Sequence, residues 1–364
     1  MDDIKLVKMY MDDEIKREVL KVLDSGYYIQ GPNLKKFEES FKEYLGVKYA
    51  IGVSSGTAAL FLAYNELNLK PGDEVIVPSH TFIATVSPLA FFGAKPIFTD
   101  IDPDTYCMDI EDTKEKITSK TKCIAPVHIY GHPVDMDPLI EIAREKNIKI
   151  IEDCCQAHGS EYKGRKVGNF GDIGIFSFFP SKSMTVGGDG GMIVTNNDDY
   201  YQILKICRDH GRTTKYSNEN LGLNFRLNEI QAVIGRLQLK HLPEWINKRR
   251  EIVEFYNDIL KSFHSIKIPH DKVWAKTSYY VYTIQIENRD RFIEYLASKK
   301  IATGIYYPIP VHKQPIIVKI YGKQPKLPIT EDIVNKIVSL PLSPHLNKEE
   351  LDRIKNEINN YMEK

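Results

Sequence analysis

The stretch Ile173-Gly174-Ile175-Phe176-Ser177-Phe178-Phe179-Pro180-Ser181-Lys182-Ser183-Met184-Thr185-Val186-Gly187-Gly188-Asp189-Gly190-Gly191-Met192-Ile193-Val194-Thr195 decides how this chain is read. Its two ends are short apolar runs with the length and β-branched content of buried strands. Between them lie a proline, a lysine and a cluster of glycines. A lysine on a short turn after a buried strand is partly desolvated, and desolvation favours the neutral amine that attacks a carbonyl carbon. The plainer alternative is a surface lysine pointing into water. Crowded glycines weigh against that alternative, because they mark a sharp turn or a close approach of backbone to something else.

Working outward, runs of the same kind recur at 49–53, 74–77, 95–98, 122–127 and 148–151, alongside 173–178 and 192–195. Helical patterns lie between them, for example at 57–67 and 138–146, and Gly168-Asn169-Phe170-Gly171 reads as a loop. This alternation predicts an α/β fold, a parallel-rich sheet with helices on both faces. The large domain is expected to span 1–247, with Lys248-Arg249-Arg250 opening a long helix. A smaller α+β domain then covers 248–364, with a strand at 279–287, a helix at 291–300 and a terminal amphipathic helix at 351–362. Within it, Tyr306-Tyr307-Pro308-Ile309-Pro310-Val311-His312 is a proline-rich loop, either a rigid surface feature or a wall of a binding site.

Composition narrows the function. The 49 basic and 49 acidic side chains balance, so no global field recruits nucleic acid or an anionic membrane, and a charged ligand must be held by local groups. The start of the chain lacks the pattern of a signal peptide, and no apolar run approaches the roughly 18 residues of a membrane span, so a cytoplasmic protein is expected. The five cysteines are odd in number, include an adjacent pair and have no metal-site spacing. They are read as small apolar core residues, with neither a disulfide nor a metal site expected.

Open α/β sheets bind ligands at the carboxyl ends of their strands, and three further candidates sit there. The run 148–151 ends in Glu152-Asp153, followed by Gln156, His158 and Gly159; an acid in this place is either catalytic or a helix cap. Ser54-Ser55-Gly56-Thr57-Ala58 puts hydroxyls where a strand gives way to a helix, which suits a phosphate or merely an N-cap. In Pro78-Ser79-His80-Thr81-Phe82, the aromatic either covers a flat ring or belongs to the core.

In order and spacing, these segments resemble the DegT/DnrJ/EryC1/StrS sugar aminotransferases, which belong to the fold-type-I pyridoxal-phosphate enzymes. The matching text covers nearly the whole chain: Gly31-Pro32 after Ser25-Gly26-Tyr27-Tyr28, Ser55 to Leu60, Pro71 to Pro78, Ile151-Glu152-Asp153, Gln156 to Gly159, Ser177 to Lys182, Gly188 to Gly191, Asn224 to Leu227 and Gln231-Ala232. The resemblance implies a mixed, mostly parallel seven-stranded sheet between helices, a smaller C-terminal α+β domain, and pyridoxal 5'-phosphate as cofactor. By the same carry-over, Lys182 holds the cofactor and shuttles a proton, and Asp153 pairs with the pyridine nitrogen. Phe82 and Gln156 pack on the ring, while Ser55, Gly56, Thr57 and Ser177 bind the phosphate. Asn224 would complete the phosphate site of a partner subunit, which implies a homodimer with shared active sites. Arg226, Tyr306, Tyr307 and His312 fall on the substrate side.

The implied reaction carries an amino group from L-glutamate to a nucleotide-linked keto-sugar. The deoxygenating branch of the family has histidine where this chain has Lys182, which argues against a dehydratase. Phe179 and Asp189, where many relatives have histidine and glutamate, look like the branch acting at sugar carbon 3, and Tyr306 to Pro310 with His312-Lys313-Gln314-Pro315 look similar to enzymes that aminate a UDP-linked 3-keto-N-acetyl-glucosaminuronate. Arg226 would then bind the uronate carboxylate, or serve only the subunit contact. A 4-keto-6-deoxy sugar is the alternative acceptor. Another pyridoxal-phosphate reaction, or a non-enzymatic regulator on the same fold, are the readings from other classes.

Overall fold

The computed structural model describes residues 2–363. Seven strands form its main sheet, in the order Tyr49–Val53, Gly191–Thr195, Ile173–Ser177, Lys149–Asp153, Thr121–Ile124, Glu74–Pro78 and Lys95–Thr99. Gly191–Thr195 runs antiparallel to both neighbours, and every other pairing is parallel. The glycine-rich loop explains the exception, because it turns the chain straight back beside Ile173–Ser177 without a crossover helix. Side chains such as Val77, Ile151 and Ile175 are buried, as strands covered on both faces require.

Parallel strands deliver their carboxyl ends to one edge. Val53, Pro78, Asp153 and Ser177 therefore end together, and the antiparallel strand brings its first residue to the same place, since Gly191 pairs with both Ser177 and Val53. Ser55, Phe82, Asp153 and Lys182, each read from a strand end, converge there.

The long helix differs from expectation. It begins at Glu229, where the Asn228 side chain caps the Gln231 amide at 2.9 Å, and runs unbroken to Leu260. The expected division at 247/248 falls inside it. Pro243 removes one ladder hydrogen bond, but Leu242, Trp245 and Ile246 are buried around it, and their packing holds the helix together. Arg249, expected at the basic start of a helix, is buried instead. Its guanidinium donates to the carbonyls of Tyr279, Tyr280 and Leu342 at 3.2, 3.1 and 3.0 Å. The helix thus reaches from the large sheet into the second lobe and is pinned there.

That lobe has a three-stranded antiparallel sheet of Ile266–Lys267, Tyr282–Ile286 and Ile337–Leu340, with helices Arg289–Ser298 and Lys348–Met362. Tyr256, Tyr282, Phe292 and Ile354 lie in its core.

Glu229 connects helices in a second way. Its fully buried carboxylate accepts from the amides of Gly31, Asn33 and Leu34 at 2.8, 2.7 and 2.9 Å. These lie at the start of helix Pro32–Leu45, whose own cap residue, Gly31, has no side chain to offer. The Gly31-Pro32 pair is explained by this contact, because a Cβ on Gly31 would sit 2.9 Å from the Glu229 carboxyl carbon.

Candidate active site

A cavity of about 400 Å³ opens at the carboxyl edge of the sheet. At one end, Ser55 caps helix Gly56–Glu66 by accepting from the Ala58 amide at 3.0 Å. The first amides of a helix have no acceptor within it, and its dipole favours an anion. Ser55, Gly56, Thr57 and Ser177 all line this end. Their closeness depends on missing side chains. A Cβ on Gly56 would lie 2.9 Å from the Ser177 Cβ, and one on Gly191 would lie 2.5 Å from both the carbonyl carbon and the oxygen of Ser55.

Asp153 also lines the cavity and is 4% exposed. Its Oδ2 accepts from the Thr85 hydroxyl at 2.8 Å and its Oδ1 from the Cys155 amide at 3.1 Å. Successive strand residues face opposite ways, so Glu152 points elsewhere. It accepts from the amides of Gly168, Phe170 and Gly171 at 2.8, 2.6 and 2.6 Å, and from His128 Nε2 at 3.1 Å. Burial opposes its charge, but the hydrogen bond and charge of His128 and the loop amides outweigh burial and hold it below the usual carboxylate range. His128, Glu152 and Cys154 come close enough to share an ion, yet this carboxylate is already engaged by four donors, which makes the trio a hub fastening the 168–171 loop.

Lys182 lines the same cavity, with its amine 4.7 Å from the centre of the Tyr280 ring. The Tyr280 hydroxyl is 3.1 Å from Ser181 Oγ, which fastens the turn carrying the lysine to the second lobe. Phe82 stands at the mouth, 53% exposed, so it is not a core residue. Gln156 accepts from the Tyr130 amide at 2.8 Å and donates to the Tyr307 hydroxyl at 3.1 Å. Tyr306 and Tyr307 both line the cavity, so the proline-rich loop forms a wall of it.

Four candidates lie elsewhere. His312 is only 2% exposed and does not reach the cavity; its Nδ1 contacts Ser79 Oγ at 2.5 Å and its Nε2 contacts Glu331 at 3.2 Å. Its expected place among the substrate contacts is corrected accordingly: both ring nitrogens are occupied in anchoring the loop. Asn224 pairs with Asp209 through the backbone, and Arg226 donates to the Asp209 carboxylate at 2.6 Å; neither lines this chain's own cavity. His158, prominent in the sequence, is a core imidazole. It lies 5.4 and 5.8 Å from the rings of Phe176 and Phe178, and burial, helped by the Lys182 charge, pushes its pKa down to about 3.

The sequence reading gave no role to Thr85, Tyr280, Ser181 or Cys155, all of which line the cavity. Thr85, Tyr280 and Ser181 matter through contacts between segments far apart in the chain, which local pattern does not report. Cys155 departs from the apolar-core reading that suits the other four cysteines, which are buried.

This donor set fits a phosphorylated aromatic aldehyde: hydroxyls and a helix start for the phosphate, a buried carboxylate for a ring nitrogen, a lysine amine for the aldehyde. The model of the DegT/DnrJ/EryC1/StrS aminotransferase family matches residues 9–359. The chain belongs to that family. This aminotransferase is 40% identical to the dTDP-3-amino-3,6-dideoxy-alpha-D-galactopyranose transaminase of Aneurinibacillus thermoaerophilus, over 99% of its own length and 98% of the relative's. It is 39% identical to the UDP-N-acetyl-3-dehydro-alpha-D-glucosamine 3-aminotransferase of Acidithiobacillus ferrooxidans, over 97% and 95% of the two chains. The solved structure of DesV from S. venezuelae superposes with a TM-score of 0.96 at 35% identity, covering both chains completely. The fold is that of the pyridoxal-phosphate aminotransferases, and the cofactor of this aminotransferase is pyridoxal 5'-phosphate. Among the described residues no helix is long and apolar enough to cross a membrane.

Proposed function

We propose that this aminotransferase transfers the amino group of L-glutamate to a nucleotide-linked keto-sugar, at carbon 3 of a UDP-linked N-acetyl-hexosaminuronate. The observation that carries the reading is the meeting in one cavity of Lys182, the buried Asp153 and the hydroxyl-lined helix start at Ser55, Gly56 and Thr57. Bound pyridoxal phosphate supplies an electron-withdrawing ring that accepts the electrons of a deprotonated substrate carbon. The protein does the rest. Lys182 would hold the cofactor, and its Nζ would carry the proton to and from the reacting carbon. Asp153 receives the ring nitrogen's N–H, while Ser55, Thr57 and Ser177 anchor the phosphate. Phe82 and Gln156 pack against the ring, and Tyr306 and Tyr307 close the side from which the sugar enters.

Carbon 3 is favoured because both curated relatives above are named for an amino group there. Asn224 and Arg226 lie outside this chain's cavity, which favours a homodimer in which they serve the partner's site; Arg226 is then the residue to meet a uronate carboxylate. A 4-keto-6-deoxy nucleotide sugar is the competing acceptor.

The test is an absorbance spectrum of the protein with pyridoxal phosphate, before and after L-glutamate, beside Lys182→Ala. Wild type is expected to show a band near roughly 410–430 nm that glutamate converts to a shorter wavelength, and the variant to lack it. A band that ignores glutamate overturns the donor; the same band in Lys182→Ala overturns the role of the lysine. Screening 3-keto and 4-keto sugars linked to UDP and dTDP then decides the acceptor.

A further inference from the structure

Asp153 has two carboxylate oxygens, and each meets a different donor. Oδ1 takes the Cys155 amide at 3.1 Å, and Oδ2 takes the Thr85 hydroxyl at 2.8 Å. A hydroxyl carries a single proton. Thr85 gives its proton to Asp153, so its contact of 2.9 Å with Thr81 Oγ1 is one in which Thr85 accepts and Thr81 donates. The direction of the chain Thr81 to Thr85 to Asp153 is thereby set, and all three side chains are buried.

The backbone at Thr85 is fastened as well. Its carbonyl accepts from the Tyr64 hydroxyl at 2.9 Å. Tyr64 is fully buried in helix Gly56–Glu66, the helix whose first residues line the anion-binding end. One short turn, Ile83–Thr85, therefore ties the carboxylate end of the cavity to the phosphate end, and it does so next to Phe82 at the mouth.

We propose that Thr85, oriented by Thr81 and tethered by Tyr64, is a positioning residue that fixes the plane of the Asp153 carboxylate and keeps it an acceptor towards the cofactor's ring nitrogen. A carboxylate rotates freely about its Cβ–Cγ bond unless donors hold it. Two donors on separate oxygens leave the remaining lone pairs aimed in fixed directions, one of them towards the cavity. Without the Thr85 hydroxyl, Oδ2 loses its donor, the carboxylate is held only from the Cys155 side and turns, and the N–H it should receive is met poorly. This inference rests on the reading of Asp153 as the partner of the ring nitrogen.

The experiment compares wild type, Thr85→Val, Thr85→Ser and Asp153→Ala. Readouts are the dissociation constant of pyridoxal phosphate by absorbance titration, the pH titration of the visible band, and the melting temperature without cofactor. Valine keeps the shape and removes the hydroxyl. Thr85→Val is expected to bind cofactor about tenfold more weakly, the scale of one hydrogen bond to a charged group. Its band should titrate at a different pH from that of wild type, and Thr85→Ser should restore both. Asp153→Ala should lose more than Thr85→Val. If Thr85→Val binds and titrates like wild type while Asp153→Ala is impaired, the positioning role is overturned. If Asp153→Ala is itself unimpaired, the underlying reading of Asp153 fails. Should Thr85→Val melt well below wild type without cofactor, restoration of affinity and titration by Thr85→Ser still decides the matter, and failure of that restoration overturns the proposal.

Discussion

At Gly191 a side chain has nowhere to go. Its Cβ would press on backbone atoms of Ser55, which cannot swing aside as the end of a flexible side chain would. Gly191→Ala should therefore push the helix start away from the strand, lowering stability by about 1–3 kcal/mol and weakening cofactor binding. Gly188→Ala is the control, since its Cβ would meet only Gln231 Nε2, at 3.4 Å. Urea unfolding and cofactor titration of the two variants check the contrast, and equal losses would refute it. The glycine cluster was legible as a sign of close approach; which glycine bears it was not, because the neighbour it meets lies more than a hundred residues away. Lys182, Asp153 and Ser55 were legible for a simpler reason: each follows an apolar run, and strand ends are where such a sheet gathers its ligands. His312 was placed on the substrate side by resemblance alone, which does not report where its ring points. The chain turns after Pro310 into the short helix Val311–Lys313, which carries the imidazole inward to Ser79.

Among elements, the seven strands could be read from runs of four to six residues, but the start of the long helix could not. The basic cluster Lys248-Arg249-Arg250 suggests a beginning at 248, whereas Asn228 and the buried residues that follow place it at Glu229. The fold also uses Glu229 in a way that no local pattern reveals, as the cap of a helix nearly two hundred residues earlier. Glu229→Ala removes one acceptor from three amides at once. With about 1–3 kcal/mol for each buried donor left unmet, a loss of at least about 3 kcal/mol is expected. Asn228→Ala, which removes an ordinary cap, should cost only about 1 kcal/mol. Denaturant midpoints for both variants measure the difference, and a Glu229→Ala protein no weaker than Asn228→Ala would contradict the shared cap.

For the molecule as a whole, buried histidines set the response to acid. Burial pushes the pKa values of His80 and His132 down to about 4 and that of His158 to about 3. The unfolded chain would bind these protons near pH 6.5. Their contribution is thus fully present above about 6.5 and is lost as pH falls through 4 and then 3. Glu66, pushed up to about 7 by burial, works in the opposite sense across part of this range. Melting temperature without cofactor is expected to fall steadily from pH 6.5 to 4, and a flat profile would contradict the assignment of these imidazoles as neutral. The helix Glu229–Leu260 has its own consequence at this scale. Because it is one rod seated in both lobes and clamped by Arg249 to the carbonyls beside Tyr280, the lobes have no slack linker on which to swing. Any movement of one lobe against the other has to bend this rod, and Pro243, where a rung of its ladder is missing, is the point of least resistance.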